Sequence, residues 1–297
     1  MKNYIADYTS PVNERIIKAG GIVHARTATP EFSCALYTWS RLWGVTRNPW
    51  NPKFTPGGSS GGAAASLASG TSAIATGSDM GGSIRVPAST CGLVGYKPPY
   101  GRNPDDTPFN LDFYCHTGPL ARTVEDAVIL QNVMSGPSPL DIATLKPKLV
   151  LPTTYKPIKD WKIAFSMDLG FFEVDREVQR NTLAAIEVFR SLGAAVEEVN
   201  LGWNKEALEA GVAYLQHLFG TWVSELLKKH GKDMTGYARN LHRTVRSRRR
   251  RTFCGPLMWP TSCTQRLDRY LKNTMCWSAR PPRLLPFLPT SINQRVR

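Results

Sequence analysis

The spacing of apolar and polar residues predicts helices that alternate with strands along most of the chain. Ser10 and Pro11 form a helix start, with serine as the cap and proline in the first turn, and the helix ends at the next Gly-Gly pair. Ile16 and Ile17 of this helix are expected to face inward. The apolar run 21–25 that follows predicts a buried strand.

A strand–helix–strand unit is predicted in the second half of the chain. Residues 161–166 alternate between apolar and polar side chains, as in a half-buried strand. Asp175 caps the helix that follows, Gly193 ends it, and residues 195–199 predict a second strand. One apolar stripe of the helix is formed by Leu183, Ile186 and Phe189.

Two further helices and one irregular segment complete this pattern. Thr123 caps a helix that extends to about Met134, and residues 208–229 form a longer helical stretch. Five prolines between Pro137 and Pro157 favour an irregular segment. The alternation of helices and strands favours the α/β class.

The segment 57–98 carries the most specific chemistry. It reads GGSSGGAAASLASGTSAIATGSDMGGSIRVPASTCGLVGYKP and places Ser59 and Ser83 directly after glycine pairs. The small residues 61–70 predict a closely packed helix, and residues 72–76 predict a short strand. Because glycine adopts backbone shapes closed to other residues, such turns can bring main-chain N–H groups close to a ligand.

Several interpretations of the two serine turns are open on local chemistry alone. In one, a serine attacks a carbonyl, the other serine relays a proton, and N–H groups near Ser83 stabilise the oxyanion. In another, both are structural turns, since isolated glycine loops are common. A nucleotide-phosphate loop is disfavoured because no lysine follows these glycines until Lys97. A Ser-His-Asp enzyme is disfavoured because no histidine has a distinguishing motif and Arg85 replaces the last glycine of a G-x-S-x-G turn.

The two serine turns resemble those of the amidase signature family, serine hydrolases that cleave carboxamides with a Ser-Ser-Lys triad. The residues GGSSGG and GSDMGGSIRVPASTCGLVGYKP carry the resemblance, which extends upstream through 21–32 and 44–52 and downstream through 161–200. It covers roughly residues 1–240. The resemblance implies an α/β chain with a partial amidase-signature fold, a mixed β-sheet flanked by helices on both faces.

Carried over by position, the resemblance implies a role for each residue of the two turns. Ser83 is similar to the family nucleophile, and Ser59 to the bridging serine, whose preceding peptide bond is cis. Asp79 and Arg85 flank the nucleophile turn and are expected to brace it or to pair across it. The oxyanion would accept hydrogen bonds from the amides of Met80, Gly81, Gly82 and Ser83.

The family mechanism implied by this resemblance is a proton relay that begins at a neutral lysine. That lysine takes the proton of Ser59, which takes the proton of Ser83 as Ser83 attacks the amide. The family lysine lies further upstream of the bridging serine than the 58 residues that precede Ser59. We therefore expect it to be absent from this chain, and the chain to be inactive or strongly impaired. None of the three lysines before position 54 is expected to replace it: Lys2, Lys18 and Lys53.

Residues 243–297 differ from the rest in charge. They hold 13 of the 37 Lys+Arg and one of the 23 Asp+Glu, and so carry +12 of the net charge of +14. One interpretation is a basic arm that binds nucleic-acid phosphates. The other is a translated frameshift, because one choice of codons for residues 272–284, read in a shifted frame, gives KYDVLVCPTTAL, which resembles a late strand of the family. We favour the second, and expect an incomplete amidase signature domain over 1–242 and a basic, Pro/Arg-rich, non-native or disordered tail over 243–297.

The remaining composition is typical of an ordinary α/β protein. No run of eighteen apolar residues occurs, so no membrane span is indicated. Cys34, Cys91 and Cys115 have no metal-ligand or disulfide spacing, and we expect reduced packing cysteines in a cytoplasmic protein. No metal or cofactor is expected. The expected partner is a small-molecule amide substrate, nucleic acid is not expected, and the oligomeric state stays open.

Two functions from different classes remain. The first is an amidase that converts a monocarboxylic amide to acid and ammonia. The second is a non-catalytic binding or regulatory protein that keeps the serine cleft and binds nucleic acid through its basic tail. Within the family, segments 29–32 and 39–43 look more like free-standing amidases than like the subunit that acts on misacylated transfer RNA.

Overall fold

A computed structural model describes residues 5–106 and 109–247 of the 297-residue chain. The described residues form two compact units. One contains 5–106, 109–154 and Asp233–Ala238, and the other contains Tyr155–Lys232 and 239–247. The predicted tail lies outside the described residues, apart from 243–247.

The first unit contains a three-stranded antiparallel sheet with helices packed against it. Its elements, in chain order, are α1 (Pro11–Lys18), a short 3₁₀ turn (Glu31–Ser33), β1 (Trp39–Ser40), β2 (Gly44–Val45), α2 (Gly61–Ala68), β3 (Ile74–Asp79), α3 (Arg85–Cys91), β4 (Val94–Gly95), β5 (His116–Ala121) and α4 (Val124–Met134). The sheet order is β3-β5-β4, and β1 pairs separately with β2. The register of β3 with β5 extends from Ile74 opposite Ala121 to Asp79 opposite His116.

The second unit contains the predicted strand–helix–strand arrangement. Its elements are β6 (Lys162–Phe165), α5 (Arg176–Ser191), β7 (Ala195–Glu198) and α6 (Lys205–His230). β6 and β7 are parallel, as a helical crossover requires. The last described helix, α7 (Gly236–Ser247), contains the predicted boundary between residues 242 and 243.

Most predicted elements are confirmed, and so is the α/β class. The Thr123 side chain accepts a hydrogen bond from the Asp126 amide at the start of α4, and Asp175 caps α5 in the same way through the Glu177 amide. Residues 137–157 are irregular, as the prolines predict. The small-residue helix and the strand after it are α2 and β3, although β3 begins at Ile74 instead of residue 72.

The predicted buried strand 21–25 is wrong. These residues form no strand, and Ile22 and Val23 are 89% and 56% exposed. The physical reason is that an apolar run becomes a buried strand only beside a pairing partner, and no described strand pairs with this one. The inward orientation predicted for α1 holds for Ile16, which packs on the cluster of Val12, Leu130 and Met134, but not for Ile17, which is half exposed.

The main apolar cluster of the first unit lies directly behind residues 80–84. It joins α2, α3 and β5 through Ala64, Leu67, Ile84, Ala88, Cys91 and Leu120, all almost fully buried. Ile84 is the residue after Ser83 and is completely buried. The turn that presents Ser83 is thus anchored in the core by its neighbour.

Within the described residues, no helix combines the length and the apolar character needed to cross a bilayer.

Candidate active site

Ser83 lies in the turn that connects β3 to α3. β3 ends at Asp79 and α3 begins at Arg85, so residues 80–84 connect the strand to the helix within five positions. Gly82 has a φ of +124°, where side chains are strained, and a Cβ there would lie 2.9 Å from Val86 Cγ2. This glycine is required by the backbone of the turn and by the close approach of α3.

The carboxylate of Asp79 holds the turn from inside. It accepts hydrogen bonds from three main-chain amides: Gly82 at 2.7 Å, Ile84 at 3.2 Å and Arg85 at 3.2 Å. The Arg85 guanidinium also donates twice, from Nε to Oδ2 and from Nη2 to Oδ1, both at 2.9 Å. The pairing across the turn that the sequence suggested is therefore present.

The charge of Asp79 is maintained despite complete burial. Burial alone raises its pKa, but the hydrogen bonds and charge of Arg85, together with the charge of Lys97, lower the pKa of this carboxyl to about 2. Asp79 is thus an anion throughout the neutral range and can support the turn by charge as well as by hydrogen bonding.

Ser59 lies in a second glycine turn, directly before α2. The Gly58–Ser59 peptide bond is cis, as the family resemblance implies. The Thr38 hydroxyl donates to the Gly57 carbonyl at 2.9 Å, and a Cβ on Gly58 would lie 2.7 Å from the Ala35 carbonyl oxygen. Ser59 itself is 2% exposed, so this turn is tightly enclosed.

The two serine turns lie side by side. The Ser60 amide donates to the Ser83 carbonyl at 3.2 Å, which joins the residue after one serine to the other serine. Within the described part of the chain, no hydrogen bond joins the Ser59 and Ser83 hydroxyls, and neither has another hydrogen-bond partner. Both hydroxyls are therefore uncommitted, on turns that are bonded to each other.

Three of the four predicted oxyanion donors are available. The Gly82 amide donates to the Asp79 carboxylate instead, so it is not free for an oxyanion, contrary to the prediction. Among residues 5–106 and 109–247, the amides of Met80, Gly81 and Ser83 have no acceptor. These three N–H groups of the turn are therefore without internal partners among the described residues.

Lys97 is a partly buried lysine at this site, with 17% of its side chain exposed, that was missed from the sequence. Its Nζ lies 3.6 Å from Asp79 Oδ1 and donates to the Met80 carbonyl at 3.4 Å. Burial lowers its pKa, and the Asp79 charge opposes that shift. One feature of the sequence could have pointed to Lys97: it is the only lysine between Lys53 and Lys146, and it follows closely after the Ser83 turn.

The hydrogen bonds recorded for the described histidine side chains are made away from the two serine turns. His24, His116 and His217 contact the Ser72 hydroxyl, the Phe113 carbonyl and the Ala213 carbonyl. None of these contacts involves Ser59 or Ser83. The arrangement therefore does not favour a Ser-His-Asp relay among the described residues.

The described cysteines behave as packing residues. Cys34, Cys91 and Cys115 are free, and Cys91 belongs to the apolar cluster behind the Ser83 turn. Burial raises the pKa of the Cys34 and Cys115 thiols to about 12, so neither is a thiolate at neutral pH.

The family model described as Amidase matches residues 1–279. This range extends beyond residue 242, the expected end of the domain. Two curated relatives are the glutamyl-tRNA(Gln) amidotransferase subunits A of Methylacidiphilum infernorum (isolate V4), 39% identical over 208 residues, and of Carboxydothermus hydrogenoformans, 40% identical over 214 residues. The matches cover 68% and 70% of this chain but 42% and 44% of the relatives, so the chain spans less than half of their length.

Among solved structures, a bacterial aryl acylamidase of the amidase signature family aligns with a TM-score of 0.83 at 28% identity. The alignment covers 91% of this chain and 58% of that one. The two curated relatives are thus named as amidotransferase subunits, whereas this structural neighbour is named as an acylamidase. The preference for a free-standing amidase stays a prediction.

Proposed function

Since the chain belongs to the amidase signature family, we propose that it carries the nucleophilic part of an amide-hydrolysing site, with Ser83 as nucleophile and Ser59 as proton relay. The substrate class is a small carboxamide, and the products are a carboxylate and ammonia or an amine. The supporting observation is the 3.2 Å hydrogen bond from the Ser60 amide to the Ser83 carbonyl, which holds the two serine turns together.

The proposed reaction proceeds through an acyl-enzyme. Ser83 Oγ forms a bond to the amide carbon while its proton passes to Ser59 Oγ, whose own proton passes to a base. The carbonyl oxygen becomes an oxyanion that accepts hydrogen bonds from free amides of the Ser83 turn. When the C–N bond breaks, Ser59 donates a proton to the departing nitrogen. Water then attacks the Ser83 ester by the same relay and releases the carboxylate.

The proposed relay also needs a lysine base. Within the described residues, no lysine contacts the Ser59 hydroxyl, and the partly buried Lys97 contacts Asp79 and the Met80 carbonyl instead. We therefore propose that Ser83 of this chain reacts slowly, and faster once a lysine-bearing segment is supplied.

The test is labelling of the full chain with a fluorophosphonate, a reagent that modifies activated serines. Ser59 and Ser83 lie in one tryptic peptide, residues 54–85, so fragmentation spectra must assign the adduct. We expect the adduct on Ser83, its loss in Ser83→Ala, and slower labelling in Ser59→Ala. Ser69→Ala, an exposed serine at the end of α2, is the matched control and should label like the parent.

A second arm addresses the base. The same reaction is run on the chain extended at its amino end by the lysine-bearing segment of an amidase relative. Faster labelling of Ser83 in the extended chain supports the proposed relay. Absence of labelling in both forms contradicts the hydrolase proposal and favours the non-catalytic binding protein. No contact among the described residues supports that alternative by itself.

A further inference from the structure

The Lys97 ammonium contacts the Ser83 turn at a place where the anion, Asp79, is already neutralised by another cation. Asp79 is already paired with Arg85 through two hydrogen bonds of 2.9 Å. Adding Lys97 places two cations around one buried anion, and only 17% of the Lys97 side chain is exposed. Burying a surplus ammonium is costly, so simple neutralisation of Asp79 does not explain it.

The distinctive contact of Lys97 is with the main chain. Its Nζ donates to the carbonyl oxygen of Met80 at 3.4 Å. In a trans peptide, the C=O and the N–H of the same plane point in opposite directions. Fixing the Met80 carbonyl toward Lys97 therefore directs the Gly81 N–H away from Lys97, out of the buried side of the turn.

The other peptides of the turn are fixed in a similar manner by different partners. The Gly82 amide is held by Asp79, and the Gly82 carbonyl accepts from the Val86 amide at 2.6 Å. The latter contact directs the Ser83 N–H away from α3. The Met80–Gly81 peptide is held only by Lys97 among the described residues, and without it that peptide is free to rotate beside two glycines.

We propose that Lys97 is a positioning residue that holds the Met80 carbonyl and thereby aims the Gly81 N–H at the oxyanion formed at Ser83. This inference rests on the proposed function, because that function supplies the oxyanion. The orientation of the Met80–Gly81 peptide does not depend on the proposed function. The titratable or charged groups that act on Lys97 are Asp79, Arg85, Cys115 and His116.

The orientation can be observed directly because Met80-Gly81 is the only Met-Gly pair in the sequence. Protein labelled with ¹³C at methionine carbonyls and ¹⁵N at glycine gives one HNCO cross-peak, which reports this peptide alone. The peak is compared in the parent, Lys97→Met and Lys97→Arg. Lys53→Met, an exposed lysine that precedes the Ser59 turn, is the control.

We expect the cross-peak to move or split in Lys97→Met and to return toward the parent position in Lys97→Arg, which keeps a donor for the carbonyl. It should stay in place in Lys53→Met. An unchanged peak in folded Lys97→Met overturns the proposal. If Lys97→Met does not fold, the test is made on the parent protein, by measuring the coupling across the hydrogen bond between ¹⁵Nζ of Lys97 and the Met80 carbonyl carbon. A detectable coupling supports the proposal, and its absence overturns the proposal.

The fluorophosphonate reaction adds the chemical readout, since its phosphoryl oxygen occupies the place of the oxyanion. Loss of one oxyanion donor typically costs about 10²-fold in rate. We expect the maximal labelling rate of Ser83 to fall roughly tenfold or more in Lys97→Met, with the half-saturating reagent concentration little changed. A purely structural role would instead lower the fraction of reactive protein and leave the rate of the remainder unaltered, which overturns the proposal.

The two proposals fail separately. If the parent and the lysine-extended chain both remain unlabelled while the cross-peak moves in Lys97→Met, the positioning of the peptide by Lys97 is supported and the hydrolase function is contradicted. If the parent labels at Ser83 and Lys97→Met labels equally fast with an unmoved cross-peak, the function is supported and the positioning role is overturned.

Discussion

The Asp79 carboxylate and the Arg85 guanidinium form a two-point ion pair, both contacts 2.9 Å long, across the turn that carries Ser83. The pair connects the end of β3 to the first residue of α3, so it closes the turn at its base. Because Asp79 is completely buried, this anion depends on its partners for solvation.

Replacing Asp79 by Asn should destabilise the first unit severely. The change leaves the largely enclosed Arg85 and Lys97 side chains without their anion. Breaking a buried pair in this way costs about 3–5 kcal/mol. Urea denaturation of Asp79→Asn against the parent measures the loss. Glu14→Gln, which removes the exposed Glu14–Lys18 pair of α1, is the control and should change the free energy of unfolding little. Equal stabilities of parent and Asp79→Asn would contradict the bracing role.

The sequence predicted those features of the fold and of the site that depend on neighbours along the chain. The helix caps Thr123 and Asp175, and the two glycine turns, follow from residues within a few positions of each other. Lys97 was missed because its contacts lie 17 and 18 residues away and arise only when the segment after β4 packs under the turn. Gly82 was assigned to the oxyanion by its position in the family resemblance, and the sequence does not show that its N–H points to Asp79.

The acidic group Asp105 should give stability a pH dependence of its own. Burial raises the pKa of this carboxyl to about 6, the Thr117 hydrogen bonds oppose the shift, and the charges of Asp141 and Asp106 add to it. Because the folded pKa lies above the ordinary value of 3.8, the folded state binds the proton more tightly. The stabilising contribution is therefore full below pH 3.8 and is lost as the pH rises through 6.

Asp105→Asn removes this proton and isolates the effect. Between pH 4 and pH 7, the free energy of unfolding of the parent relative to Asp105→Asn should fall by about 2 kcal/mol. Urea denaturation of both proteins at one-unit pH intervals measures this difference. A difference that stays constant over the range would show that Asp105 does not titrate with a raised pKa.

Thr38 supports the Ser59 turn, and we expect its hydroxyl to contribute more to the free energy of unfolding than the shape of its side chain. Thr38→Val keeps the branched side chain but removes the donor to the Gly57 carbonyl. Leaving a buried carbonyl without its donor costs about 1–3 kcal/mol. We expect that loss in urea denaturation, together with slower fluorophosphonate labelling of Ser83 because the Ser59 turn loses a fixed contact.

Thr71→Val is the matched control for Thr38→Val. The Thr71 hydroxyl also donates to a carbonyl, that of Ser66, but at an exposed position. Water replaces this donor, so the expected change is within about 0.5 kcal/mol. Similar losses in both variants would indicate that the hydroxyl of Thr38 has no special role in the turn.

Gly77 of β3 sets the space available to the Ser59 turn, and Gly77→Ala should disturb that turn without touching either serine. A Cβ at this position would lie 2.6 Å from Ser60 Oγ and 2.7 Å from Leu120 Cδ1. Leu120 is fully buried in the apolar cluster, so Ser60 must move, and the Ser60 amide bonds the Ser83 carbonyl. Overpacking of this kind costs about 1–3 kcal/mol.

The comparison for Gly77→Ala is Gly211→Ala in α6, where a Cβ meets nothing within 4 Å. Alanine should stabilise that helix by about 0.5–1 kcal/mol, since glycine has the greater backbone entropy when unfolded. Urea denaturation should thus shift in opposite directions for the two variants, and Ser83 labelling should slow only in Gly77→Ala. Unchanged labelling in a destabilised Gly77→Ala would show that the Ser60–Ser83 contact does not set the reactivity of Ser83.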